Sequence, residues 1–212
     1  MADWSTIASL STAGGTLVLA LATFSSVRAS QRSARIAEQA FMIGLRPVLA
    51  PTREDDPSVT VMFGDRHFTT VEGGFGAVEL EEGRFYFVIP VRNVGQGLAV
   101  LHGWHVQPRP PEAAPAEDQP DPDSFRRQQR DLYISAGGTG FWQGAIRDAE
   151  DAMHEGLEEA YEAGGVLLVD MLYGDYEGGQ RQITRFVLSR TADGGWLAGV
   201  SRHWRLDGQD FR

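Results

Sequence analysis

Apolar residues are unevenly spread along the chain. Trp4–Val27 runs for 24 residues without a charge, and Leu17-Val18-Leu19-Ala20-Leu21-Ala22 is its most apolar part. Ser5, Thr6, Ser9, Ser11, Thr12 and Thr16 dilute the first half. A hydroxyl can bond back to a helix carbonyl, so Ser and Thr cost little in an apolar setting. About 20 apolar residues in a helix cross a bilayer core. The pattern predicts one long helix from Trp4 to Leu45: residues 1–27 a transmembrane helix, residues 28–46 a basic helical stalk. A surface or buried helix of a soluble domain competes with this reading. A cleaved signal peptide fits less well, because Asp3 stands where a basic n-region belongs. Arg46-Pro47 ends the helix, since the residue before Pro is pushed out of the α region.

From Pro47 onward the pattern reads as β. Val48–Arg53 and Val59–Phe63 are short strands, and Gly64-Asp65 and Gly73-Gly74 supply turns. Phe85–Val94 is apolar on both faces, as expected of a strand inside a sandwich. Pro90 then calls for an edge or a bulge. Leu98–Gln107 is the return strand after the Asn93–Gly97 turn. Residues 108–123 hold six Pro among Glu, Asp and Ala, a disordered acidic loop. Asp131–Ser135 and Thr139–Ile146 follow as strands, and Asp148 caps a helix over residues 149–163 that stops at Gly164-Gly165. Val166–Asp175, Gln180–Arg190 and Trp196–Leu206 form a closing meander. The fold class expected is mainly β: an Ig-like antiparallel β-sandwich over residues 47–212 with one inserted helix, preceded by the long N-terminal helix.

The hairpin near the C-terminus carries the most specific expectation. Setting Asp175 opposite Gln180 across the Tyr176–Gly179 turn places Leu172 opposite Ile183, Leu168 opposite Val187, and Val169 opposite Phe186. Asp170, the one charge within Val166–Tyr173, then faces Arg185. A buried carboxylate needs a partner, and a facing Arg offers up to two charge-assisted bonds.

Charge divides the chain. All 19 basic residues are Arg, a mark of high-GC coding. Residues 51–212 hold 15 of them against 27 acids, a net of −12, so DNA and RNA are poor partners. Arg28, Arg32 and Arg35 flank the C-terminal end of the uncharged run, and its N-terminal flank has no cation. The positive-inside rule then puts the N-terminus outside and the C-terminal domain in the cytoplasm, at the cell (inner or plasma) membrane. Ala8, Ser11, Gly15, Val18, Ala22, Ser25 and Ala29 form a stripe of small residues. Such a stripe lets helices approach closely and makes a homo-oligomer through span and stalk one expected assembly.

Three stretches, Arg92-Asn93-Val94-Gly95-Gln96-Gly97-Leu98-Ala99, Tyr173-Gly174-Asp175-Tyr176-Glu177-Gly178 and Arg202-His203-Trp204-Arg205-Leu206-Asp207, carry a resemblance. The chain resembles uncharacterised single-pass membrane proteins of high-GC bacteria, with one N-terminal span, a short helix ending in Arg-Pro and an Ig-like β domain. The resemblance implies a fold and no activity.

No chemical motif stands out. There is no Cys. His102 and His105, three apart on a strand, should face opposite sides and share no metal. Gly137-Gly138-Thr139-Gly140 lacks the Lys-Ser/Thr ending of a P-loop, and no Ser sits in G-x-S-x-G. No catalytic, cofactor-binding or metal residue is assigned, and no cofactor is expected. The function expected is a membrane-anchored, cytoplasmic-facing binding or scaffold module for an unknown protein partner. The alternative is an enzyme or small-ligand sensor whose site is assembled from residues distant in sequence.

Overall fold

The computed structural model describes residues 3–110 and 118–207, with the side chains of residues 5–11 and 39 left out of the description. Two compact units are present, Met1–Gly44 and Leu45–Arg212. The first is a single helix, α1 (Trp4–Gly44). Its hydroxyls bond back to the helix: Thr16 Oγ1 donates to Thr12 O at 2.9 Å and Ser25 Oγ to Ala22 O at 2.8 Å. Among the described residues no helix is long and apolar enough to cross a membrane. The expected transmembrane helix over residues 1–27 is therefore not supported by them. Thr12, Gly14, Gly15, Thr16, Ser25 and Ser26 lower the apolar character around Leu17–Ala22.

The second unit is mainly β. Its strands are β1 (Leu49–Pro51), β2 (Val59–Met62), β3 (Phe68–Val71), β4 (Phe75–Glu81), β5 (Arg84–Asn93) and β6 (Ala99–Arg109). They continue as β7 (Arg126–Arg127), β8 (Tyr133–Ile134), β9 (Thr139–Ile146), β10 (Val166–Gly174), β11 (Gln182–Arg190) and β12 (Trp196–Arg205). Every pairing is antiparallel. One layer runs β9–β5 and continues with β4 and β1, which lie end to end along the far side of β5. The other runs β12–β11–β10–β6, with β7 and β8 beyond β6. β4 joins the layers: Ala77–Glu81 pairs with β5, whereas Phe75 and Gly76 pair with Leu197 and Trp196 of β12. The ladder does not close into a barrel; β9 and the β7–β8 side remain edges.

Alternation along the strands builds two cores. Phe85, Phe87 and Ile89 of β5 join Trp142, Val169, Met171, Tyr173 and Phe186 between the layers. Tyr86 and Val88, on the other face of β5, pack with Val61, Phe63 and Val71 under the β2–β3 hairpin. Both faces of β5 are thus buried, which its run of apolar residues requires.

Pro90 lies in this central strand, at neither an edge nor a bulge. It pairs with Phe141 of β9 on one side. On the other it falls in the gap between the β4 rung at Val88 and the β1 rung at Val91. No ladder donor is wanted there, and the Pro90 carbonyl accepts from Thr52 N at 3.1 Å.

The expected helix over 149–163 shortens to α2 (Leu157–Glu162). Asp148 and Asp151 take the backbone N–H groups of Glu150 and Met153, each at 3.0 Å. Such local bonds compete with helix formation. Gly156, in the left-handed region at φ 72°, then separates these turns from α2. Of the expected loop 108–123, Pro108 and Arg109 belong to β6 and pair with Leu167 and Val166. Residues 111–117 lie outside the described residues.

Candidate functional site

Two places in the β unit gather polar chemistry. The first is the open side of the sandwich. Among the described residues β9 pairs with β5 alone, so its outward carbonyls need other donors. Side chains from the β7–β8 segment supply them. Arg126 Nη1 donates to Ala145 O at 3.3 Å, and Gln128 Nε2 to Gln143 O at 3.4 Å and Arg130 O at 2.8 Å. The Gln128 N–H ties the same segment to His102 O at 2.9 Å. Arg126 also pairs with Asp151, and its guanidinium sits 5.1 Å from the centre of the Trp104 ring. Trp104 meets Trp142 edge to face at 5.5 Å. Gly144 leaves the room for this, since a Cβ there would come 2.7 Å from Trp142 Cζ2.

Between β9 and this strap lies a cleft of about 440 Å³. Arg126, Arg127, Arg130 and Arg147 line it, with Gln128 inside and Phe63 and Trp104 as apolar wall. Arg147 is held by Asp65, Nε to Oδ2 at 2.8 Å. That bond, with a second from the Tyr86 hydroxyl, keeps the Asp65 carboxyl well below the usual carboxylate range. Burial pushes the Asp151 carboxyl up, but the bonds from Arg126 and Met153 N outweigh it and leave it lowered. Arg127 and Arg130 are exposed and make no hydrogen bond or ion pair with their side chains among the described residues. Gln128 is 6% exposed, and its Oε1 has no partner among them.

The second place is the outer face of the β12–β11–β10–β6 layer. A row crosses it: His105, Asp170, Arg185, Arg202. Asp170 and Arg185 are joined by two bonds, Nε–Oδ1 at 2.7 Å and Nη2–Oδ2 at 2.8 Å. The Arg185 guanidinium lies 4.9 Å from the centre of the Trp204 ring.

His102 and His105 do not face opposite sides, as their spacing implied. β6 pairs Gly103 with Leu172 and Leu101 with Tyr173, leaving His102 as the extra residue of a bulge. The bulge resets the alternation, so Leu101, Trp104 and Val106 turn inward and both His turn outward. Burial lowers the pKa of both imidazoles, and His102 Nε2 and His105 Nδ1 lack partners among the described residues. Still, among the described residues no group of three or more His, Cys, Asp or Glu could hold a metal ion. Tyr173, Thr184 and His203 form a hydrogen-bonded chain, Tyr173 OH to Thr184 Oγ1 at 2.8 Å and Thr184 Oγ1 to His203 Nδ1 at 2.7 Å. Tyr173 and Thr184 are fully buried, so the chain ties strands together and presents no nucleophile.

Arg28, Arg32 and Arg35 are exposed along α1. The cleft residues were not singled out by their sequence. A signal was there: three Arg and no acid between Ser124 and Arg130, inside a region of net charge −12. Nothing in sequence marks Trp104 and Arg147 as their neighbours; the fold brings them there. No protein-family model matches the chain, and no curated protein matches it.

Proposed function

We propose that the protein is a membrane-anchored binding or scaffold module, its β domain an Ig-like sandwich held in the cytoplasm by α1. The observation that carries this is the exposure of one apolar run on a continuous helix. Leu17, Val18, Leu19, Leu21 and Phe24 are 61–68% exposed. They fall on all sides of the helix, so packing one face on a domain would leave the others in water. Lipid covers all sides at once. The hydroxyls of Thr16 and Ser25 are already bonded to the helix, which lowers the cost of placing them in hydrocarbon. Two antiparallel layers around an aromatic core support the Ig-like reading. Cell fractionation with an alkaline carbonate wash tests the anchor. Retention in the washed membrane pellet is expected, and release into the supernatant overturns it.

A second reading, a small-ligand sensor, is favoured by the arginine-lined cleft. Its volume falls in the range of small-molecule sites, about 300–1,000 Å³.

A further inference from the structure

We infer that the cleft between β9 and the β7–β8 segment binds a compact ligand bearing an oxyanion, a phosphate ester or a carboxylate, together with an N–H or O–H donor and a flat apolar part. The inference deepens the small-ligand reading of the cleft and is independent of the membrane anchor.

Charge is the first argument. Four guanidinium groups line the cleft against two carboxylates, Asp65 and Asp151, and those two are taken by Arg147 and Arg126. Asp131 at the rim is engaged by the Gln143 amide. Arg127 and Arg130 remain at the mouth as two cations close in sequence with no carboxylate on their side chains among the described residues. Exposed arginines without an ion pair among the described residues also occur at Arg53, Arg66 and Arg205; Arg127 and Arg130 differ in lining one cleft together. An oxyanion between them forms charge-assisted bonds, and guanidinium matches phosphate or carboxylate in two-point geometry.

The second argument is Gln128. Its amide nitrogen is committed to two carbonyls, Arg130 O and Gln143 O, which fixes the side-chain orientation. Gln128 lines the cleft, and its Oε1 is a buried acceptor without a partner among the described residues. A buried acceptor without a donor is costly. A ligand N–H or O–H donor that reaches it removes that cost, which a donor-free anion such as a simple carboxylate does not do. The Phe63 and Trp104 wall explains the flat apolar part.

Size and field exclude a long polyanion. The cleft holds about 440 Å³, and the net charge of −12 over residues 51–212 repels an extended phosphate chain.

The experiment is a titration of the full chain, ¹⁵N-labelled and held in nonionic detergent, with 4-aminophenyl phosphate and 4-aminobenzoate, with their donor-free parents phenyl phosphate and benzoate, and with inorganic phosphate, which has no apolar part, observed at the arginine Nε–Hε resonances. Substituting Arg127→Gln and Arg130→Gln singly assigns their signals. Saturable shifts at Arg127 and Arg130 with 4-aminophenyl phosphate or 4-aminobenzoate are expected, with the donor-free parents and inorganic phosphate weaker. The double variant should lose about tenfold or more in affinity, and Arg53→Gln, just after β1 on the side of β5 away from β9, should lose none. Whichever of 4-aminophenyl phosphate and 4-aminobenzoate binds more tightly identifies the oxyanion. The proposal is overturned by an absence of saturation at millimolar probe, by the donor-free parents or inorganic phosphate binding as tightly as the amino probes, or by unchanged affinity in a folded double variant. Carbonate extraction of the same double variant reports on the anchor separately, so either reading can fail alone.

Discussion

Asp170 and Arg185 meet as a two-bond pair inside a β ladder, and both are almost fully removed from water. Asp170 is 0% exposed and Arg185 2%. The pair lies on the outer face of its layer, outside both hydrophobic clusters. Ile183 shares that face and is also 0% exposed. The cover is local: the Trp204 ring lies over Arg185, and His105 lies beside Asp170 with Phe125 at 6.1 Å from it.

Removing one partner leaves the other as a buried unpaired charge. Asp170→Ala or Arg185→Ala alone should therefore cost about 3–5 kcal/mol of unfolding free energy. The double variant should cost less than the sum. Urea unfolding of the four proteins gives the coupling energy. It should exceed the about 0–1 kcal/mol of an exposed ion pair, and a coupling near zero would show that the pair does not act as a unit.

Acid should weaken the fold through three imidazoles before it reaches the carboxylates, and burial lowers the pKa of one of them, His203, from 6.5. Burial lowers the pKa of His102 and His105 from 6.5. Arg181 reinforces and Asp175 opposes the shift at His102; Asp170 opposes and Arg185 reinforces it at His105. The unfolded chain then binds protons that the folded chain refuses. Stability is fully present above 6.5 and declines as pH falls below it. The lowered carboxyls Asp151 and Asp207 act in a separate window, as pH falls below their ordinary 3.8. Urea midpoints between these two limits should fall with pH, and the slope should flatten in a His102→Gln/His105→Gln variant. An unchanged slope would remove His102 and His105 as the cause.

The hairpin was legible because cross-strand sums are rigid: one turn length sets every partner, and the ladder has Leu172 opposite Ile183 and Val169 opposite Phe186. The bulge at His102 was not legible, since a single extra residue leaves no mark on composition while turning every later side chain over. α2 was over-read for a related reason. Apolar spacing at Ala149, Met153 and Leu157 looks helical, but Asp148 and Asp151 bond their own neighbours instead. β3 and β4 escaped because Phe68-Thr69-Thr70-Val71 is short and β4 ends in Glu79-Leu80-Glu81. The cleft is a product of tertiary structure, in which Arg126, Arg147 and Trp104 come from separate strands and turns.

Orientation in the membrane should depend on three cations. Arg28, Arg32 and Arg35 are exposed on α1 beside the apolar run, whose other end has no cation. A reporter active only in the cytoplasm, fused after Arg212, should be active. Changing the three Arg to Glu should reduce that activity in favour of an exterior-dependent reporter. Activity of the exterior reporter alone in the unaltered chain would reverse the assignment.

The turn after β5 should be the least tolerant position in the β unit. Asn93 is 1% exposed and all its side-chain bonds are made at once. Its Oδ1 accepts from Val48 N and Gly95 N, each at 3.1 Å. Its Nδ2 donates to Gly97 O at 2.7 Å and Ile134 O at 3.1 Å. These bonds draw the Leu45–Val48 segment across the turn so closely that no side chain fits beneath it. A Cβ on Gly97 would lie 1.7 Å from Leu45 O, and one on Gly95 2.2 Å from Arg46 O. Both obstacles are backbone, which cannot rotate aside as a side-chain tip can. Gly97→Ala should therefore destabilise at the upper end of the about 1–3 kcal/mol typical of overpacking, or beyond it. Gly199→Ala, whose Cβ would meet nothing within 4 Å, should stay within about 0.5 kcal/mol. Equal urea midpoints for the two variants would show that the Leu45–Val48 segment can leave the turn at little cost.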